Sequence, residues 1–504
     1  MIPYRAAAGL LILGLTLFHL WLIGTWPLSA DEAHYWEWSR RLDWSYYSKG
    51  PAVAYLIAAG TRLGGSTAFW VRLPAVVLST GLAVLGYAMA SRLFKSARAG
   101  FLAVAFLSAM PLYAVGAMLM TIDPPFVFCW ALACALLIRA AERQTEMAWY
   151  PVGLALGLGL LTKYTMLMLL PCALLWLLAA PRLRPWLVRR GPYEAAAIGL
   201  LCFSPVLVWN ARYGWLSGRH VVGQASGGGD RPLLATLLGG PEFLGGQLLA
   251  VSPLLFLVLA AGVAWAWREG RQPGREALLL LACLSAPVFL FFQAWSFAWK
   301  VQANWAAHAY FPAAVAAAGW CESWGHRASK SRRSRRRLNR FVLAAILLPA
   351  VVLPLAIVPG LPVPLPEKLD LPSKRLRGWP ELGQAVGEAA ARLPRRPFLV
   401  SDRYQIASEL AFYVPGQPRT YTANLGRRMN QYDLWGGWDA LLGQDGLFVA
   451  YGSGEAPEAV RSAFARVERL RVVPITHRGR HLTDFVIFWG QDFRGFPPRP
   501  FEGF

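Results

Sequence analysis

The feature that most limits how this chain can fold is a succession of apolar runs, each about 20 residues long, separated by clusters of arginine. A helix rises about 1.5 Å per residue, so one such run crosses the roughly 30 Å hydrocarbon layer of a bilayer. Runs of this kind lie near residues 6–26, 70–92, 99–119, 122–140, 149–161, 163–181, 193–209, 243–267, 277–295, 304–321 and 341–359. They predict a polytopic α-helical membrane protein with about 11 or more transmembrane helices. Composition agrees: of 504 residues, 56% are hydrophobic and 15% are charged, against about 25% charged in an average soluble domain. The first run has the basic start of a signal peptide but no small-x-small cleavage site, and it is expected to stay as a helix. The six cysteines (Cys129, Cys134, Cys172, Cys202, Cys283 and Cys321) lie in apolar runs without metal or redox spacing, so they read as small buried hydrophobes.

The arginines set the topology. Taken as one helix, Trp149 to Ala180 would be about 48 Å long. With a break at Thr162 and Lys163, five clusters fall on one side: Arg92/Lys95/Arg98, Arg139/Arg143, Arg182/Arg184/Arg189/Arg190, Arg268/Arg271/Arg275 and Lys330 to Arg340. The positive-inside rule makes that side the cytoplasm, with the N-terminus there too. The net charge of +22 is therefore mostly an orienting signal. The run Ser329 to Arg340 reads as a topology determinant attracted to anionic headgroups, and nucleic acid is not an expected partner. After Pro359 and Gly360 the pattern becomes that of a soluble fold. Residues 1–360 are expected to form the transmembrane domain and 361–504 a small C-terminal periplasmic α/β domain. Its strands are expected at Phe398 to Ser401, Gly446 to Tyr451, Val472 to Ile475 and Asp484 to Trp489, with helices at Tyr404 to Tyr413 and Pro457 to Leu470.

Polar residues that topology does not explain collect on the opposite side. These are Asp31, Glu32, His34, Lys49, Arg62 and Arg72, then Asp123, Lys163, the stretch Asn210 to Asp230, and Lys300 with Asn304. A transporter would place ionisable groups near the bilayer midplane, whereas here the span centres hold few charges, so the site is expected at the interface. In the segment Ser29 to Pro51, Ser29 is suited to cap a helix whose first turn carries Asp31 and Glu32. Tyr35, Trp36, Trp38, Trp44, Tyr46 and Tyr47 suit the headgroup layer, so this helix should lie along the membrane surface.

The chain has no G-x-x-x-x-G-K-[ST], no G-x-G-x-x-G opening an α/β unit, no H-E-x-x-H and no D-x-D pair for a metal-held nucleotide sugar. Outside the cytoplasm an activated group would have to arrive on a lipid phosphate, and a polyprenyl-phosphate sugar meets that requirement. Its transfer needs a carboxylate to take a proton from the incoming hydroxyl and cations to stabilise the departing phosphate. No cofactor is demanded; paired acids could hold a divalent cation, but no ligand spacing requires one. A lipid-linked sugar transporter or flippase and a noncatalytic envelope assembly protein are the rival classes.

Asp31-Glu32-Ala33 with Tyr35-Trp36, Tyr46-Tyr47-Ser48-Lys49-Gly50-Pro51, Asp123-Pro124-Pro125, Leu161-Thr162-Lys163-Tyr164 and Asn304-Trp305 follow in order over most of the first 320 residues. In these pieces the chain resembles the bacterial GT-C membrane glycosyltransferases related to protein O-mannosyltransferases and to the aminoarabinose transferases of lipid A. The resemblance implies many transmembrane helices, surface-lying helices in the first outer loop and a polyprenyl-phosphate sugar donor. It implies Asp31 as the catalytic aspartate with Glu32 beside it, and Asp123 as the second acidic position. Lys49 stands where many relatives have His-Pro-Pro and others Lys-Gly-Pro or Lys-Pro; with Lys163 it is expected to hold the donor phosphate, and Arg62 and Arg219 add cations to that rim. Tyr35, Tyr46, Tyr47, His220, Lys300 and Asn304 are the expected substrate-binding residues. Ser401-Asp402-Arg403-Tyr404 ends a predicted strand, a frequent ligand position in α/β folds. A lipid, glycan or protein acceptor at the outer face of a bacterial inner membrane completes the expectation.

Overall fold

The structure, a computed structural model, describes residues 3–226, 233–327, 332–357, 376–477 and 479–501. The membrane part is helical: α1 (Tyr4–Leu22), α2 (Ala30–Ser39), α3 (Ala52–Gly64), α4 (Ala68–Phe94), α5 (Ala97–Ala109), α6 (Pro111–Gly116), α7 (Asp123–Arg143), α8 (Tyr150–Leu160) and α9 (Leu169–Ala179). There follow α10 (Arg190–Arg212), α11 (Leu216–Ser226), α12 (Leu233–Val251), α13 (Pro253–Glu269), α14 (Glu276–Cys283), α15 (Ala286–Ala298), α16 (Tyr310–Arg327) and α17 (Arg332–Ile357).

Among the described residues six helices are long and apolar enough to cross a membrane, and a seventh span is added if Thr236–Val251 and Pro253–Glu269, bent by 99°, count as one. Several of the expected eleven runs are therefore not uninterrupted helices. The residue before a proline is pushed toward extended backbone. Met110 before Pro111 has ψ 119 and divides the run 99–119 into α5 and α6. Ser252 before Pro253 has φ 81 and ψ 139 and breaks the run 243–267. The run 149–181 breaks after Leu161, as the arginine pattern requires, and resumes through a 3₁₀ turn at Tyr164–Met168.

That break keeps two ends of the bundle distinct. At one end Arg92 pairs with Glu142, Arg98 with Glu322 at 2.8 Å and Arg189 with Glu146 at 3.4 Å. Arg182 and Gly274 share a cleft with Glu142. The connections carrying Asp31, Asp123, Lys163 and Asn304 meet at the other end. The first part of the run Ser329 to Arg340, the boundary at residue 361 and Asp230 lie outside the described residues.

The C-terminal region folds around a mixed five-stranded sheet, order β2-β1-β3-β5-β4, with β1 (Phe398–Ser401), β2 (Thr420–Thr422), β3 (Gly446–Tyr451), β4 (Phe464–His477) and β5 (Arg480–Phe493). β1 runs parallel to β2 and β3, and β5 lies antiparallel between β3 and β4. The helix expected over Pro457 to Leu470 is only one turn, Glu458–Ser462, because the chain from Phe464 pairs with β5 instead. The helix Tyr404–Tyr413 follows β1 and packs on α2. Phe412 meets Trp36 edge-on at 4.9 Å, Tyr413 Oη accepts from Leu28 N at 2.7 Å, and Ala411 joins the apolar cluster of Ala33 and Trp36. The C-terminal region thus sits directly on the helix that carries Asp31.

Candidate active site

The site is built on the orientation of α2. Ser29 forms a full capping box: its hydroxyl accepts from Glu32 N, and the Glu32 carboxylate accepts from Ser29 N at 3.0 Å. The same carboxylate takes Arg72 Nε and Nη2, each at 2.7 Å, and Met120 N at 3.0 Å. Arg72 spends its remaining donors on the carbonyls of Ile23, Trp26 and Pro27. Burial pushes the Glu32 carboxyl up, but the charge and hydrogen bonds of Arg72 and the backbone donors of Ser29 and Met120 outweigh it and hold the group below the usual range. With Glu32 locked toward α4, residues three and four positions apart, Asp31, His34 and Tyr35, face the other way, into a cavity of about 730 Å³.

Asp31 is exposed to this cavity and accepts a hydrogen bond from Tyr404 Oη at 3.2 Å. His34 is buried, which pulls its imidazole down to about 3. It accepts from Trp38 Nε1 at 3.2 Å and donates through Nδ1 to Ser408 Oγ at 3.1 Å, a tautomer fixed by these partners. Asp123 opens α7 ahead of Pro124 and Pro125, where missing backbone donors cost nothing. Its Oδ1 accepts from Lys163 Nζ at 2.8 Å and its Oδ2 from Asn304 Nδ2 at 2.6 Å.

Lys49 reaches the same place because of Gly50. A Cβ on Gly50 would lie 2.2 Å from the carbonyl oxygen of Leu161, and Ala52 N donates to that oxygen at 3.1 Å. Only glycine lets the Lys49-Gly50-Pro51 turn press against the Leu161-Thr162-Lys163 turn. Burial, and next the charge of Lys163, lower the Lys49 ammonium to about 8, partly offset by Asp123 and Asp31. His220, its ring 4.9 Å from that of Tyr47, is held by α11, which Asn210 and Ser217 tie down: Ser217 N donates to Asn210 Oδ1 at 3.1 Å and Ser217 Oγ to Tyr46 O at 2.9 Å.

The matching protein family is described as dolichyl-phosphate-mannose-protein mannosyltransferase and covers residues 48–209. The chain is 30% identical over 311 residues to the lipid A galacturonosyltransferase RgtD of Rhizobium johnstonii, 61% of this chain and 64% of that protein. It is 32% identical over 207 residues to the undecaprenyl phosphate-alpha-4-amino-4-deoxy-L-arabinose arabinosyl transferase 1 of Pseudomonas fluorescens, 37% of this chain and 38% of that one. The chain thus spans less than two thirds of the length of these curated relatives. Its fold is similar to ArnT from Cupriavidus metallidurans in the apo state, with TM-score 0.60 and 15% identity over 96% of this chain and 98% of ArnT. The crystal structure of ArnT bound to undecaprenyl phosphate gives 0.60 and 16% over 95% and 97%. The chain shares the fold of ArnT and is similar in sequence to these lipid A and aminoarabinose sugar transferases.

Within this ArnT-like fold the structure gathers Asp31, Tyr35, Tyr47, Lys49, Asp123, Lys163, His220 and Asn304 around one cavity. Five other sequence candidates sit elsewhere. Glu32 is fully buried against Arg72, so it acts on the site through the pose of α2. Tyr46 is stacked on Trp38 at 4.3 Å and donates to the carbonyls of Trp38 and Arg41, which makes it a brace of the loop. Arg62, Arg219 and Lys300 are exposed and do not line the cavity. Arg62 lies in the last turn of α3, and Arg219 is exposed on α11 next to the buried His220. The paired acids Asp31 and Glu32 do not converge, and among the described residues no group of three or more metal-binding side chains is assembled.

The cavity also has a wall from the C-terminal region, of which the sequence pointed only to the strand end Ser401 to Tyr404. Asp402, Arg403 and Tyr404, at the end of β1, line it together with the loop Leu425 to Gln431. Only the strand-end position of Ser401 to Tyr404 carried a signal for this. The 425–431 loop has no periodicity or motif that could have pointed to it.

Proposed function

We propose that the chain is a glycosyltransferase that moves a monosaccharide from a polyprenyl-phosphate donor of the undecaprenyl type to a hydroxyl or phosphate of an envelope acceptor. The observation that carries this reading is the meeting, in one interfacial cavity, of the accessible carboxylate Asp31 with Lys49, a cation that has no ion-pair partner among the described residues. The names of the two curated relatives, both sugar transferases, support the reaction class. The arginine-rich end faces the cytoplasm, the cavity and C-terminal domain face the periplasm, and the acceptor is lipid A, a surface glycan or a protein.

In the reaction the acceptor oxygen bonds to the anomeric carbon on the face opposite the phosphate, and its proton passes to Asp31. The carbon–oxygen bond to phosphate breaks, and its electron pair stays on the polyprenyl phosphate, whose charge Lys49 stabilises. The configuration inverts. Asp123, gripped by Lys163 and Asn304, orients the acceptor from the second acidic position.

Asp31→Asn keeps the shape of the side chain and removes the base. In membranes supplied with labelled polyprenyl-phosphate sugar on the outer side, transfer should fall by on the order of 10²–10⁴ with thermal stability near wild type. Turnover retained by this variant would remove Asp31 from the mechanism. Wild-type membranes that form no glycosylated product from any donor would defeat the enzyme reading itself. Mass spectrometry of lipid, glycan and protein fractions with and without the chain identifies the acceptor.

A further inference from the structure

The helix Tyr404–Tyr413 joins the C-terminal region to α2. Tyr404 donates to Asp31 at 3.2 Å, Ser408 shares a hydrogen bond with His34 at 3.1 Å, Phe412 meets Trp36 edge-on, and Tyr413 accepts from Leu28 N at 2.7 Å. The same helix carries an acid with nothing to bond. Glu409 is 1% exposed, and among the described residues neither of its carboxyl oxygens has a hydrogen-bond partner. Buried polar atoms are ordinarily satisfied, so two orphaned oxygens on one side chain need a physical reason.

The charges that face Glu409 are those of Glu32 and Asp31 on α2 and of Arg72 on α4. Arg72 is the only cation of the three, and its N–H groups are all taken by Glu32 and by the carbonyls of Ile23, Trp26 and Pro27. Within the C-terminal region Glu409 acts on the hydroxyls of Tyr413 and Tyr451. Arg403, over the Tyr451 ring, is already 3.6 Å from Asp402. The helix Trp379–Ala391, packed on the other side, has Glu381 and Glu388, both exposed, and β1 and β2 carry no charged residue. Burial, and next the charge of Glu32, push the Glu409 carboxyl well above the usual range, with Arg72 opposing and Asp31 adding to the rise. Two buried acids thus meet one arginine. The bonded one keeps its charge and the other keeps its proton.

We propose that Glu409 is a positioning residue that works as the uncharged acid: protonated, it lets the helix Tyr404–Tyr413 seat on α2, and its ionisation unseats the helix and withdraws Tyr404 from Asp31. An unseated carboxyl titrates near about 4.3 and the seated one higher, so the seated form holds the extra proton. The ratio of seated to unseated helix then falls as pH rises, by up to about tenfold per pH unit between the two values. Acid holds the C-terminal wall of the cavity in place, and alkali loosens it. The effect on transfer rests on the glycosyltransferase reading above, and the effect on stability does not.

Glu409→Gln keeps the shape of the side chain and cannot ionise. In thermal unfolding of the full-length chain in detergent, its Tm should gain on wild type from about pH 5 to about pH 8, by on the order of 1–2 °C per pH unit. Glu409→Met, equally unable to ionise, should gain in the same way. In membranes the ratio of kcat for Glu409→Gln to kcat for wild type should rise severalfold over that range, since the titrations of Asp31 and Lys49 cancel in the ratio. A Tm difference that stays constant with pH overturns the proposal, because seating then takes up no proton. Failure of both variants to fold where wild type folds also overturns it, since the group would be needed as a carboxylate. A widening Tm difference with a level kcat ratio removes the positioning role. No transfer by wild type at any pH, with the Tm difference widening as expected, counts against the transferase reading and leaves the proton-dependent seating in place.

Discussion

Two ion pairs frame the site, and they do different work. In the pair Glu32–Arg72 the side chains are 0% and 1% exposed; in Asp123–Lys163 they are 20% and 11% exposed. Every N–H of Arg72 is used, and both Glu32 oxygens take more than one donor. In the cavity pair each Asp123 oxygen has one described side-chain donor, with solvent and substrate able to compete. The difference shows why two adjacent acids, Asp31 and Glu32, have opposite fates. The carboxylate that is fully bonded is a clamp, and the one at the cavity surface, Asp31, is exposed where a substrate can meet it.

The largest way to break this comparison is to remove Arg72. Arg72→Ala leaves Glu32 buried without its counter-charge and three carbonyls without donors, and should cost about 3–5 kcal/mol. Thermal unfolding in detergent should show a large drop in Tm, together with loss of transfer because α2 no longer holds its pose. The same truncation at Lys163 should move Tm far less. Equal shifts for the two variants would show that burial does not separate the pairs.

The sequence made much of the membrane part legible because its signals are local or repeat along the chain. The arginine clusters located the break at Thr162 and Lys163, and Lys163 shares the cavity with Lys49 and Asp123 of the Lys49-Gly50-Pro51 and Asp123-Pro124-Pro125 turns. What was hidden depends on distant partners. Glu32 looked like a second catalytic acid because Arg72 lies 40 positions away and nothing local announces the pairing. Tyr404 and Arg428 come from the far end of the chain, and only the docking of the helix Tyr404–Tyr413 on α2 brings them to Asp31. In the stretch from Phe464 the apolar residues Phe464, Val467 and Leu470 recur every third position, which mimics a helix until pairing with β5 overrides it.

A smaller effect separates the cations. Lys49 is lowered to about 8, first by burial and then by Lys163. Below that pH it is an ammonium that attracts the donor phosphate, and above it the charge is lost. The KM for donor should therefore rise by up to about tenfold per pH unit above pH 8, until the titration of the donor-bound enzyme is reached. Lys49→Arg should flatten the rise, because a guanidinium stays charged throughout. A wild-type KM that is level from pH 7 to 9.5 would remove Lys49 from phosphate binding and leave the cavity pair as the donor's cation.

The smallest expected effect tests whether the Asp31 carboxylate is positioned from the C-terminal region. Tyr404 donates to Asp31 across 3.2 Å, and its ring lies 4.7 Å from the ring of His34. Tyr404→Phe keeps the ring and its packing and deletes only the donor, a loss of about 1 kcal/mol. Through the transfer step this corresponds to a severalfold fall in kcat with KM for donor and Tm near wild type. Tyr404→Ala removes the packing as well and should add a fall in Tm, so the two variants divide the hydroxyl from the ring. If Tyr404→Phe turns over at the wild-type rate, α2 alone aims Asp31, and the clamp at Glu32–Arg72 is sufficient to prepare the base. If kcat falls as expected, the base is held from both sides, by the buried ion pair Glu32–Arg72 and by one hydroxyl of the C-terminal region.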